Sequence, residues 1–212
     1  MYLVVVLGQP GPVAVTAWSR YWSEGSSPVL PVPTFSWWIR EFGKSVAYRV
    51  FDLAHLEHLA TRRGVAHIMN LHTGLSPYVR GGPNCTNWCL ATGRPWLIGN
   101  TTMWIDEGID SGDIISTECT PMDGNESLLG LHRAVMDHAH DLVCRTVQTV
   151  GRGGQHRRPQ SSFEDSGDLY YTRDWTATRM WQASRYIQSQ YRLDVGSELF
   201  SNMREELELV RL

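Results

Sequence analysis

The sequence predicts an α/β domain with a small C-terminal appendage, and three observations carry that prediction. Short apolar, β-branched or alternating runs, such as Met1 to Leu7 and Ile68 to His72, have the character of strands. Longer stretches repeat apolar residues at helical spacing, from Leu53 to Arg63 and from Glu126 to Val150. At 212 residues the chain is long enough to bury a substantial core.

Met1 to Leu7 predicts a buried parallel strand that ends in the loop Gly8-Gln9-Pro10-Gly11-Pro12. Val13 to Trp22 has room for a short helix, which Ser26, Ser27, Pro28, Pro31 and Pro33 bring to an end. Phe35 to Phe42 is aromatic and reads as helical, leading into a strand at Ser45 to Val50. In the next helix Leu53, Leu56, Leu59 and Ala60 share the apolar face, and His55 and His58 lie three apart with no third metal ligand near them. After the strand Ile68 to His72, the residues Gly74, Pro77, Gly81, Gly82 and Pro83 predict a loop able to approach a ligand closely. Asn84 to Ala91 forms a short helix whose Cys85 and Cys89 share a face and read as small buried hydrophobes.

A second extended run, Thr101 to Ile105, is followed by a turn from Asp106 to Asp113 that carries four carboxylates and two glycines. The long helix over Glu126 to Val150 starts at Asp123-Gly124-Asn125 and stops at Gly151, with His132, His138 and His140 as solvated or rim residues. Residues 151–166 form a glycine-rich, locally basic linker. Beyond it come a strand at Asp168 to Asp174, a helix from Asp174 or Trp175 to Tyr191, and a last helix from Ser197 to Leu212. The expected organisation is an α/β domain over 1–150, the linker, and an extension over 167–212.

A net charge of −3 gives no electrostatic footprint for a nucleic acid. Four cysteines are too few and too unevenly spaced for a disulfide framework, which favours the reducing cytoplasm. Tyr2 to Leu7 is too short for the apolar part of a signal peptide, and no run approaches a membrane span. The expected localisation is therefore cytoplasmic, with no membrane partner.

Strand alternation places Asn70 and His72 on one face, so an amide and an imidazole point the same way. Asp110 sits between Ile109 and Ser111-Gly112, as if held by its neighbours. Asn70-Leu71-His72, then Leu75 to Gly81, then Gly99 to Gly112, in this order and spacing, resemble the folate-dependent formyltransferases. The resemblance runs from about Ser45 to Gln160. It implies a Rossmann-like domain with a mostly parallel sheet, here with an abbreviated N-terminal half, and a short strand-helix-helix extension. It also implies catalysis by Asn70, His72 and Asp110, with 10-formyltetrahydrofolate as formyl donor held by Ala47, Tyr48, Arg49, Thr101, Asp106 and Ile109.

The implied acceptor is a small-molecule amine, an amino sugar on a nucleotide or in an antibiotic pathway; a homodimer is compatible with the sequence, which leaves the oligomeric state open. The Tyr-rich tail resembles the C-terminal pieces of small sugar formyltransferases, and it is far shorter than the domain with which methionyl-tRNA formyltransferases hold tRNA. Met103 stands where the family commonly has a histidine and Ser76 where it has leucine, while Gly8 to Pro12 is unlike the phosphate loop of the glycinamide ribonucleotide enzymes. Hydrolysis of the formyl-folate, use of another acyl carrier, and a non-catalytic remnant of the fold are the competing readings.

Formyl transfer to an amine passes through a tetrahedral intermediate with an oxyanion and requires a proton to leave the attacking nitrogen. The Asn70 amide and a protonated His72 are suited to donate to that oxygen. Asp110 is suited to orient His72 or to take the amine proton.

Overall fold

The computed structural model describes residues 2–7, 14–18, 67–82, 84–106, 110–152 and 156–212. Outside them lie the expected strand at Ser45 to Val50 with Ala47, Tyr48 and Arg49, the expected helices at Phe35 to Phe42 and Leu53 to Arg63 with His55 and His58, and Ile109. The chain divides into two compact units, Met1–Asn70 and Leu71–Leu212.

In the first unit, β1 (Tyr2–Leu7) pairs antiparallel with β2 (Ala14–Trp18), Val4 opposite Thr16. The helix expected over Val13 to Trp22 is therefore corrected to a strand. The segment carries Val13, Val15 and Thr16, and β-branched residues of this kind favour strands over helices. Strand β3 (His67–His72) carries the chain from the first unit into the second.

The second unit is built on β5 (Gly99–Trp104) and β6 (Ile114–Cys119), which pair antiparallel with an irregularity at Thr102 and Met103. Helix α2 (Leu128–Gly151) packs on both strands and buries Leu131, Val135, Ala139, Leu142, Val143 and Val147, a stripe at helical spacing. Each leucine and valine of this stripe contributes about 1.5–3 kcal/mol when taken from water. The helix is capped by the Ser127 side chain, which accepts from Gly130 N–H, whereas Asp123 to Asn125 form the preceding turn. His138, expected at the solvated rim, instead stands 3.1 Å from the Glu118 carboxylate and 3.0 Å from the Asn100 amide. Strands β6 and β5 supply these partners. Arg145 donates twice to Glu118 at 2.6 Å and holds its carboxyl below the usual range.

A parallel pair, β4 (Val79–Gly81) with β7 (Asp168–Tyr170), joins the loop after β3 to the C-terminal segment. Gly81 has φ +89, and a Cβ there would lie 2.0 Å from the Tyr170 carbonyl oxygen, so this pairing requires glycine. Helix α1 (Cys85–Ala91), with Asn84 as its cap, packs on α3 (Ala177–Ser189). Trp88 of α1 stacks on Tyr170 at 4.3 Å.

The strand expected over Asp168 to Asp174 ends at Tyr170 and gives way to a 3-10 turn over Thr172–Asp174. Two short helices, α4 (Tyr191–Val195) and α5 (Glu198–Glu205), follow α3. The expected final helix thus stops about two turns early. Instead of continuing, the tail offers its backbone to β6: Thr117 N–H donates to the Val210 carbonyl at 2.8 Å.

Candidate active site

Three pieces of chain converge on His72. It ends β3 and is 3% exposed, and its Nδ1 lies 3.4 Å from Oδ2 of Asp110, a carboxylate in a residue 8% exposed. The same Oδ2 accepts a hydrogen bond from Gly81 N–H at 3.0 Å, so β4 fixes the oxygen that faces the imidazole. Nε2 of His72 lies 3.2 Å from the Val79 carbonyl oxygen and 3.5 Å from Sγ of Cys85, the first residue of α1. Burial pushes the Cys85 thiol well above its ordinary value, with Cys89 and Asp110 adding to the effect, so it remains a neutral SH beside the ring. A ring protonated on both nitrogens satisfies Asp110 and Val79 at once.

The loop after β3 is shaped for this ring. A Cβ on Gly74 would lie 2.2 Å from His72 Nε2 and 2.8 Å from the Val79 oxygen. Thr101, expected to hold the folate, is fully buried on β5; its Oγ1 donates to the Gly74 carbonyl at 2.7 Å and accepts from Ser76 N–H at 2.9 Å. It pins the loop on which the His72 environment depends. Asp106 is exposed and accepts from the Ser111 hydroxyl at 2.7 Å, closing the turn that carries Asp110. Asn70 lies two residues before His72 on β3 and is 7% exposed. The pair His72 and Asp110 is therefore brought together, Thr101 and Asp106 support the loops on either side, and Ala47, Tyr48, Arg49 and Ile109 are outside the described residues.

Gly74 and Cys85 were legible in the sequence only as loop punctuation and as a packing residue. Gln160, 8% exposed, was read as part of a solvated linker, yet its amide donates to the Asp110 carbonyl at 2.8 Å and the Gly112 carbonyl at 2.9 Å. No local signal marks such a residue, because its partners lie 50 and 48 positions away. Among the described residues no group of three or more His, Cys, Asp or Glu could hold a metal ion. No described helix is long and apolar enough to cross a membrane.

Structurally, the chain is similar to a 4-N formyltransferase from Francisella tularensis, with a TM-score of 0.52 and 17% identity over 74% of this chain and 72% of that one. It is also similar to a sugar N-formyltransferase from a Shewanella species, with a TM-score of 0.51 and 14% identity over 75% and 71%. At these identities the likeness is one of fold, and the α/β formyltransferase fold is the one the sequence led us to expect.

In sequence, residues 58–147, a segment that includes Asn70, His72 and Asp110, match the family model described as formyl transferase. Methionyl-tRNA formyltransferases of Pelobacter propionicus and Syntrophus aciditrophicus are 32% identical over 93 residues and 35% identical over 102 residues. Those alignments cover 44% and 48% of this chain but only 28% and 31% of the relatives' own length.

Proposed function

We propose that this protein transfers the formyl group of 10-formyltetrahydrofolate to the amine of a small molecule, and that the acceptor is an amino sugar. The observation that carries the reading is the buried His72 imidazole with its Nδ1 3.4 Å from the Asp110 carboxylate, two residues beyond Asn70 on the same strand. The donor set fits such a substrate: an amide and an imidazole to meet a carbonyl oxygen, and a carboxylate to manage a proton. The formyl-folate supplies the activated one-carbon unit. The name of the Shewanella relative supports a sugar amine, and the curated relatives' names favour methionyl-tRNA.

The chemistry divides among three residues. Asn70 supplies a directional N–H to the formyl oxygen as charge builds on it, and the His72 imidazolium supplies positive charge close by. Because both ring nitrogens of His72 already face protein acceptors, charge rather than a free N–H is its main contribution. Asp110 orients the ring, and it receives the amine proton directly or through water. Preorganised donors of this kind are worth about 3–4 kcal/mol each in comparable sites.

Incubation with 10-formyltetrahydrofolate and a panel of nucleotide-linked amino sugars, amino acids and methionyl-tRNA tests the reading. Amine-dependent release of tetrahydrofolate with a sugar is the expected result. Release without any amine indicates hydrolysis, release only with methionyl-tRNA moves the acceptor to that class, and no turnover in any arm overturns the proposal. His72→Ala should lower kcat about 100- to 1,000-fold while donor binding, read by fluorescence titration, persists; unchanged turnover would remove the mechanism.

A further inference from the structure

We propose that Gln160 is a positioning residue for Asp110, and through it for His72; this rests on the formyl-transfer reading above. Asp110 is the one described non-glycine residue with positive φ, at 50°, in the left-handed region that asparagine and aspartate tolerate but do not favour. A backbone in that region persists when surrounding contacts over-determine it. Two such contacts hold Asp110, one at its side chain and one at its main chain. Gly81 N–H binds its Oδ2 at 3.0 Å, and the Gln160 amide binds its carbonyl at 2.8 Å and that of Gly112 at 2.9 Å, straddling Ser111.

The Gln160 amide can take only one orientation here. Two carbonyl oxygens require two N–H donors, and the reverse orientation would set Oε1 against both. The side chain also rests at 4.0 Å on the Met103 sulfur, an apolar seat with little claim on its donors. Its own backbone is anchored independently of Asp110. Arg158 exchanges hydrogen bonds with Ile114 at the start of β6, at 2.8 and 2.9 Å, and Trp104 at the end of β5 donates to the His156 carbonyl at 3.1 Å. Pro159 then opens the 3-10 turn Gln160–Ser162. The segment after α2 is thus clamped to both strands, and from that platform one amide sets the turn that aims the Asp110 carboxylate at His72.

The test uses Gln160→Met, which keeps length and volume but removes both donors, and Gln160→Asn, which keeps the donors one methylene short. Asp110→Asn serves as the reference. Three quantities are measured: the kcat and KM of amine-dependent formyl transfer, the thermal midpoint, and the imidazole nitrogen chemical shifts of His72 in selectively labelled protein.

The expected result is a fall in kcat of about 10- to 100-fold in Gln160→Met, with KM for the donor changed much less, since small misplacements of catalytic groups cost rates on that scale. The His72 nitrogen shifts should move in the same direction as in Asp110→Asn, by a smaller amount, with Gln160→Asn intermediate. Wild-type kcat and unmoved His72 shifts in both variants would overturn the proposal. So would a loss of activity that follows only the fraction folded while the shifts stay unmoved. If the wild-type protein transfers no formyl group, the shifts still decide: movement in Gln160→Met upholds the positioning role while the formyl-transfer reading falls, and no movement ends both.

Discussion

His72 depends on a neighbour with no side chain. A Cβ on Gly74 would meet not only Nε2 of the ring but also the Val79 oxygen and the Cys85 sulfur, both at 2.8 Å, and the backbone oxygen has nowhere to go. Gly74→Ala should therefore cost about 1–3 kcal/mol as an overpacked site and displace the imidazole as well. The measurement is a urea unfolding curve together with kcat; a variant that matches wild type in both would show that the loop yields more readily than its contacts indicate. At this scale the sequence was informative about chemistry and poor about support. That Asn70 and His72 alternate along one strand and that Asp110 sits in a turn could be read because strand alternation and turn composition are local properties. The partners of His72 Nε2 could not, since a backbone carbonyl 7 residues away and a thiol 13 residues away leave no mark in composition.

Helix α1 couples the site to pH through its thiols. Burial raises Cys89 from the ordinary 9.0 to about 12, and raises Cys85 as well, so both stay protonated in the folded protein after the unfolded chain has begun to ionise. Below about pH 9 folded and unfolded chains hold the same thiol protons and stability is unaffected by them. Above it the folded state retains protons the unfolded state has lost, so stability falls as pH rises from about 9 towards 12. The slope is about 1.4 kcal/mol per pH unit for each such thiol. Guanidinium unfolding at pH 7.5 and 10.5 should show the decline, and Cys89→Ala should reduce it by one thiol's share. An identical slope in that variant would assign the alkaline loss to other groups. The elements themselves were legible where periodicity is long or caps are explicit, as in α1 and α2. They were misread where a short segment's pairing decides, as in β2, whose five residues are a strand because β1 lies beside them.

Across the second unit, the last residues join the loop after β3 to the sheet. The Tyr78 hydroxyl accepts from Glu208 N–H at 2.8 Å, Val210 accepts from Thr117 N–H and donates to the Thr117 hydroxyl, both at 2.8 Å, and Arg158 pairs with Glu208. Leu207 and Leu209 pack against the core that contains Leu75, Tyr78 and Val79. Removing residues 207–212 should lower the unfolding free energy by about 2–4 kcal/mol, from several hydrogen bonds near 1 kcal/mol each and the apolar contact. A urea midpoint that does not move would show the tail to be an ornament of the fold. The sequence by itself determined the α/β class and placed Asn70, His72 and Asp110 on a strand and a turn, because alternation, turn chemistry and helical spacing are written in neighbouring residues, and its resemblance to the formyltransferases lies in the same segment. Only the tertiary structure decided that Thr101 spends its hydroxyl on the Gly74 loop, that Cys85 lies against the ring, and that Gln160 holds the Asp110 turn. Those roles arise when hydrogen-bonding groups tens of residues apart are buried together and must satisfy one another away from water.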